Sequence, residues 1–342
     1  MRAAVMRDKQ IVVDTVPDPV PGSGEVLVKT LACGICGSDL HMLQHAEKMM
    51  QSMRETGAPS VPNLLADVVM GHEFCAEIVD FGPNTLKRLP AGTRVVSMPI
   101  SFHGGKLQAV GYSDDVPGGY GELMVLTEPM LLEVPNGLPT EHAATTEPMA
   151  VGVHAVAKAN VTPRDAALVV GCGPVGLAVI AGLRLAGVET IVAADYSPMR
   201  RRLATHLGAT AVADPKEQPP IEAWRAAAGS KGCVLFECVG VPGVIDQLMR
   251  VAPPQSRIVV AGVCMEDDTI RPSFGINKEL NVQFVLGYTP DEFAKTLRAL
   301  AEGQIDVAPI ITDKTGIDGV AGAFRALANP EAQAKILVEP WR

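Results

Sequence analysis

The segment Val169-Val170-Gly171-Cys172-Gly173-Pro174-Val175-Gly176 constrains the fold of this chain more than any other. It sets G-x-G-x-x-G between an apolar run, residues 165–170, and a helical pattern that extends to about residue 186. In a strand–turn–helix unit of this kind, Gly171 makes the tight turn. Gly173 lets the backbone approach a pyrophosphate, and Gly176 lets the helix pack closely on the strand. Pro174 and Val175 open a helix whose free N–H groups and positive dipole end face the phosphates. A second apolar run, residues 190–194, ends at Asp195, 19 residues after Gly176. An acid at that place binds a ribose 2′-hydroxyl, and this context makes a weak motif specific.

The surroundings extend the reading to a whole domain. Further apolar runs at 211–213, 233–237, 257–261 and 282–286 alternate with helical stretches. Six such strands predict an α/β fold with a doubly wound parallel sheet buried on both faces. Asp195 favours NAD over NADP, because a carboxylate there repels a 2′-phosphate. The run Arg200-Arg201-Arg202 pulls the other way, since nearby arginines receive that phosphate, although Arg200 could instead lie along the adenosine.

A length of 342 residues corresponds to about two domains. The first 150 residues are β-rich, with short runs such as 25–29 and 94–98 bounded by Pro or Gly. A net charge of −9 argues against nucleic acid and anionic membrane surfaces as partners. Seven scattered cysteines suit reduced thiols rather than a disulfide scaffold. With no signal-peptide pattern and no bilayer-length apolar segment, a cytoplasmic location is expected.

Cys33 and Cys36 form a C-x-x-C, which alone suggests a redox pair or half of a zinc knuckle. The chain holds no second C-x-x-C, and the segment lacks a thioredoxin-like βαβ context, so neither reading stands. Four blocks then occur in order: Gly34-Ile35-Cys36-Gly37-Ser38-Asp39-Leu40-His41, Gly71-His72-Glu73, Glu147-Pro148-Met149-Ala150-Val151-Gly152-Val153-His154, and the nucleotide fingerprint. In this order the chain resembles the zinc-dependent medium-chain alcohol dehydrogenases along its whole length. The last block before the fingerprint is most similar to the polyol, butanediol and threonine dehydrogenase branch.

The resemblance implies a GroES-like catalytic domain over residues 1–155, a Rossmann domain over 156–289, and a return of residues 290–342 to the catalytic domain. It implies Cys36 and His72 as zinc ligands and Glu73 as a catalytic residue that coordinates directly or swings away when substrate arrives; the third ligand stays open between Glu73 and Glu147, directly or through water, the latter standing where many relatives place a cysteine. Asp39 resembles the acid that orients the histidine ligand. Val239, Gly262, Val263 and Gly287 are expected to join the fingerprint, Asp195 and Arg200 in lining the cofactor. Residues 97–120 contain no cysteine, so one catalytic zinc and no structural zinc is the expectation.

The implied reaction is reversible hydride transfer between a small secondary alcohol or polyol and NAD, giving the ketone or aldehyde. Ser38 accepts the hydroxyl proton, His41 passes it toward solvent, and zinc serves as the Lewis acid. Two rivals remain: a zinc-free, NADPH-dependent quinone or enone reductase of the same superfamily, and a non-catalytic nucleotide-binding sensor. A homodimer or homotetramer is expected through the edge strand near residues 282–286. Residues 43–57 carry Leu43, Ala46, Met50 and Met53 at helical spacing. They suit either an amphipathic helix capping the β-rich domain or a methionine-lined wall beside the substrate.

Overall fold

The structure, a computed structural model, describes every residue except Asn136 and Pro330. The chain forms two compact units. The first comprises Met1–Glu147, Ile311–Asn329 and Lys335–Arg342, and the body of the second is Pro148–Ile310.

In the first unit a hairpin pairs Arg2–Arg7 with Gln10–Thr15. Asp8 and Lys9 take positive φ at its turn, which gives the twist a two-residue connection needs. The main sheet has seven strands. Ile311–Thr315, Lys335–Val338, Glu25–Gly34, Glu73–Phe81, Arg94–Ser97 and Leu131–Glu133 follow one another across it, and Leu123–Thr127 also pairs with Glu25–Gly34. The central strand shows the two-residue period of a sheet with one buried face. Val28, Thr30 and Ala32 are buried, while Leu27, Lys29 and Leu31 are partly exposed.

Two registers on this strand position the chemistry. Gly34 lies opposite Glu73 on one side and opposite Leu337 on the other. The end of the chain is thereby sewn antiparallel to a strand some 300 residues earlier. Ala46–Glu55 is a helix whose Met50 is 1% exposed and packs into this unit's core, as does Met42 from the preceding helix. That burial supports the amphipathic-helix reading of the methionines over a wall of substrate contacts.

The second unit holds a six-stranded, all-parallel sheet. Its order is Ala211–Ala213, Thr190–Ala194, Asp165–Val170, Gly232–Glu237, Arg257–Val260, Asn281–Phe284. The strand Asp165–Val170 is buried along almost its whole length, as parallel strands covered on both faces are. The helix that follows it, Pro174–Leu185, buries every residue from Gly176 to Leu183. The strand order reverses between Asp165–Val170 and Gly232–Glu237, and the carboxyl ends at such a reversal are where ligands bind in open α/β sheets. Among the described residues, no helix is long and apolar enough to cross a membrane.

Candidate active site

Among the described residues, Cys36, His72 and Glu73 converge in the first unit, with one ligand atom from each lying within 4.8 Å of the others. Cys36 precedes the helix Gly37–Gln44, and Glu73 opens the strand Glu73–Phe81 with His72 just before it. His72 and Glu73 are buried, whereas Cys36 is partly exposed. Glu147 lies at the start of the helix Thr146–Lys158, outside the 4.8 Å set, with its carboxylate close enough to Lys335 to raise that group's pKa.

Asp39 organises one side of this cluster. Its carboxylate is completely buried and accepts from Tyr112 Oη at 2.7 Å, Tyr120 Oη at 2.6 Å and the Cys36 N–H at 2.9 Å. Burial raises the Asp39 pKa, but His72 and the two tyrosine hydroxyls outweigh it and hold the group ionised. His72 Nδ1 faces Asp39 Oδ1 at 3.5 Å, beyond good hydrogen-bond geometry, and has no hydrogen-bond partner among the described residues. Burial disfavours a charged imidazole, yet Asp39 and Cys36 raise the His72 pKa well above its ordinary value. The pocket therefore attracts positive charge.

That is a test a zinc ion passes. Thiolate, imidazole and carboxylate are the donor types of catalytic zinc sites, which keep a position open. With Nδ1 turned to Asp39, Nε2 is the nitrogen left for the metal, and Asp39 fixes the ring's orientation.

The other side of the cluster is a buried ion pair absent from the sequence reading. Lys335, 2% exposed, donates from Nζ to Glu73 Oε1 at 2.8 Å, to Glu73 Oε2 at 2.6 Å and to the Ile35 carbonyl at 3.0 Å. Gly34 makes room for it: a Cβ there would stand 2.0 Å from Glu73 Oε2. Tyr112, Tyr120 and Lys335 were not found from sequence. Each lies more than 70 residues from its partner, and a lysine inside a strand ordinarily points to solvent.

Ser38 and His41 share the helix Gly37–Gln44 one turn apart. Tyr112 Oη also lies in hydrogen-bond contact with Ser38 Oγ at 3.0 Å, and with its proton committed to Asp39 it accepts from the serine hydroxyl. His41 Nδ1 is buried without a hydrogen-bond partner among the described residues, and the His45 ring lies 6.0 Å away, centroid to centroid. Burial, and then the nearness of His45, hold the His41 pKa below the ordinary imidazole value.

The cofactor residues gather in the second unit. Gly171 has φ +92°, and a Cβ on Gly176 would strike the Gly171 carbonyl oxygen at 1.9 Å, so helix and turn touch there. A Cβ on Gly173 would meet only Arg200 Nη1, at 3.9 Å, leaving open space before the N-terminus that Pro174 and Val175 begin. Asp195 accepts from the Cys172 N–H at 2.7 Å and the Ser197 N–H at 2.8 Å, which fixes its carboxylate beside the turn. These contacts fit a dinucleotide.

The arginine run divides by role. Arg201 is spent on Asp214 and on the Asp195 and Tyr196 carbonyls, and Arg202 is exposed. Arg200 Nη1 stands 4.0 Å from Asp195, and its buried Nε lacks a hydrogen-bond partner among the described residues. Val239, Gly262, Val263 and Gly287 follow the strands Gly232–Glu237, Arg257–Val260 and Asn281–Phe284, at the carboxyl ends of the same sheet. The two valines are 43% and 55% exposed.

Comparison with known proteins bears on the family and the fold. A family model described as zinc-binding dehydrogenase matches residues 174–302, and one described as alcohol dehydrogenase GroES-like domain matches residues 22–136. The chain is 32% identical over 342 residues to (R,R)-butanediol dehydrogenase of Bacillus subtilis, covering 97% of each. It is 26% identical over 361 residues to sorbitol dehydrogenase of the same organism, covering 100% of this chain and 98% of that one. The crystal structure of the Bacillus subtilis 2R,3R-butanediol dehydrogenase superposes with a TM-score of 0.84 at 32% identity, covering 99% of both chains. A zinc-binding dehydrogenase of Sinorhizobium meliloti, solved bound to NADP, gives 0.83 at 29% identity and 99% coverage of both.

Proposed function

The chain belongs to the zinc-binding medium-chain dehydrogenases and is a zinc-dependent alcohol dehydrogenase; from that premise we propose the residues that act and the substrates they serve. The observation that carries the reading is the convergence of Cys36, His72 and Glu73 beside an ionised, fully buried Asp39. The substrate is a secondary alcohol or polyol, oxidised reversibly to the ketone with NAD. 2,3-Butanediol is the first to try, given the similar butanediol dehydrogenases.

When bound, zinc would supply a Lewis acid for the alcohol oxygen and the nicotinamide a hydride acceptor. Cys36 and His72 hold the metal, with Glu73 as third ligand; Glu147 is the alternative, acting directly or through water. Asp39 keeps the His72 ring in place and its Nε2 available. Ser38 takes the hydroxyl proton, its Oγ steadied by the Tyr112 hydroxyl. His41 is neutral at physiological pH because burial opposes its charge, and so it can receive that proton and pass it outward.

In the nucleotide unit, the open face of Gly173 and the helix N-terminus receive the pyrophosphate, and Asp195 receives the ribose hydroxyls. Asp195→Gly is expected to raise the KM for NAD about tenfold, the loss of one charge-assisted hydrogen bond. It should improve NADP use, because Arg200 can then meet the 2′-phosphate. The ratio of kcat/KM for the two cofactors measures this, and an unchanged ratio would remove Asp195 from the site.

The edge strand Asn281–Phe284 is mostly exposed, with Phe284 63% and Leu286 90% accessible. Pairing there with a second copy would cover both, which supports a homo-oligomer. The absence of cysteine from residues 97–120 supports a single zinc per chain.

One sample tests the whole reading. It should contain about one zinc per chain and reduce NAD in the presence of 2,3-butanediol or sorbitol. A zinc-free chain that instead reduces enones with NADPH would overturn it.

A further inference from the structure

Resting on the proton path through Ser38 and His41, we propose that His45 is its next station, taking the proton from His41 across one water and releasing it to solvent. The three residues form a ladder. Ser38 precedes His41 by three positions and His45 follows it by four, so all three project from one face of a single helical run. The last step of the ladder is held by the backbone, because the His45 N–H donates to the His41 carbonyl at 2.7 Å. His45 is also where the helices Gly37–Gln44 and Ala46–Glu55 meet, and its own carbonyl accepts from the Met49 N–H at 2.9 Å. The backbone of His45 is therefore fixed from both sides while its ring is left to act.

The His41 ring has two unlike ends. Nδ1 is buried and has no hydrogen-bond partner among the described residues, whereas Nε2 is not enclosed in that way. An imidazole that gains a proton at one nitrogen can lose one from the other, so a ring with one sealed end and one open end conducts a proton outward. Such a ring needs an acceptor beside it. The His45 ring lies with its centroid 6.0 Å from that of His41, tilted 33° to it, and is itself partly exposed. The span suits one bridging water.

Charge supports the pairing. Besides burial, His45 is the group that lowers the His41 pKa, so the two imidazoles repel when both are charged and hold one proton between them. Glu47, two residues further on, is engaged by Lys9 and so does not hold the proton on His45. Ser38 takes the alcohol proton as it gives its own toward His41, His41 passes one to His45, and His45 releases one to water or buffer. All three side chains end as they began.

The test uses the full zinc-loaded chain with His45→Gln, His45→Ala and His41→Gln. NADH formation and proton release are followed together after rapid mixing with NAD and 2,3-butanediol, the proton by an indicator dye in dilute buffer. In the original chain the two signals should coincide. In both His45 variants proton release should fall about tenfold behind NADH formation, and a raised concentration of a buffer that does not bind metal, such as MES, should close the gap. A purely structural role for His45 would slow both signals alike and would not answer to buffer. The His41 ring, titrated by NMR in a histidine-labelled chain, should move to higher pKa in His45→Gln, because the neighbour that repels its charge is gone.

A folded His45→Gln chain whose proton release keeps pace with NADH in dilute buffer overturns this proposal alone. If His41→Gln also keeps pace, the proton path on which it rests is overturned as well. The titration needs no substrate, so it decides even if 2,3-butanediol gives no NADH: an unmoved His41 midpoint overturns the pair.

Discussion

Cys36→Ser is expected to empty the metal site and lower turnover by about a thousandfold or more, the order of effect that loss of a Lewis acid produces. A serine hydroxyl does not ionise near neutrality, so the substitution removes a charged ligand as well as a soft one. His72 and Glu73 then remain, and Glu73 is already engaged by Lys335. The fold should survive. Cys36 is partly exposed at a helix start, and serine can serve at that position as readily as cysteine. Metal analysis, circular dichroism and NAD-coupled turnover on one preparation check all three statements. Full activity without zinc would sink the metal mechanism.

Asp39→Ala should have the largest effect on stability. The substitution strands the hydroxyls of Tyr112 and Tyr120 and the Cys36 N–H inside the protein, and leaves His72 without its anion. Unsatisfied buried donors cost about 1–3 kcal/mol each, partly relieved if water enters, so a loss of about 3–5 kcal/mol is expected. That is a large share of the roughly 5–15 kcal/mol that holds a domain together. Zinc content should fall with it, because the imidazole ring loses its orientation. A urea midpoint and a zinc assay measure the two effects. Asp39→Asn, which keeps an acceptor, should lie between the two chains, and a variant as stable as the original would refute the network's role.

The nucleotide unit was readable because its chemistry is local. Gly171, Gly173, Gly176 and Asp195 fall within 25 residues, and strands buried on both faces appear as unbroken apolar runs. The six expected strands stand within a residue or two of their observed limits, since Gly and Pro mark their ends. The metal ligands were readable for a different reason: Cys36 and the His72-Glu73 pair sit in short blocks that resemble a family.

What holds those ligands was not readable. Tyr112 and Tyr120 reach Asp39 from a segment outside the main sheet's central strands, 73 and 81 residues away. Lys335 opens a run, Lys-Ile-Leu-Val, that looks like any strand ending. Its direction is set by register against Gly34, and register depends on pairing across the chain. The choice between Glu73 and Glu147 as third ligand is open in the sequence for the same reason, since chain separation says nothing of distance in the fold.

The strand that carries Lys335 also sets an order of events in the cell. Glu73 and Lys335 are separated by 262 residues. At a synthesis rate of about 5–20 residues per second, the carboxylate leaves the ribosome some 13–50 s before its counter-ion. In that interval the nucleotide unit, whose strands are all made in between, can complete its sheet. The catalytic sheet still lacks the strand beside Glu25–Gly34, and Glu73 has no cation to pair with. The three candidate metal ligands are therefore made early, and the strand that neutralises Glu73 and completes the catalytic sheet around them is a late step of biogenesis.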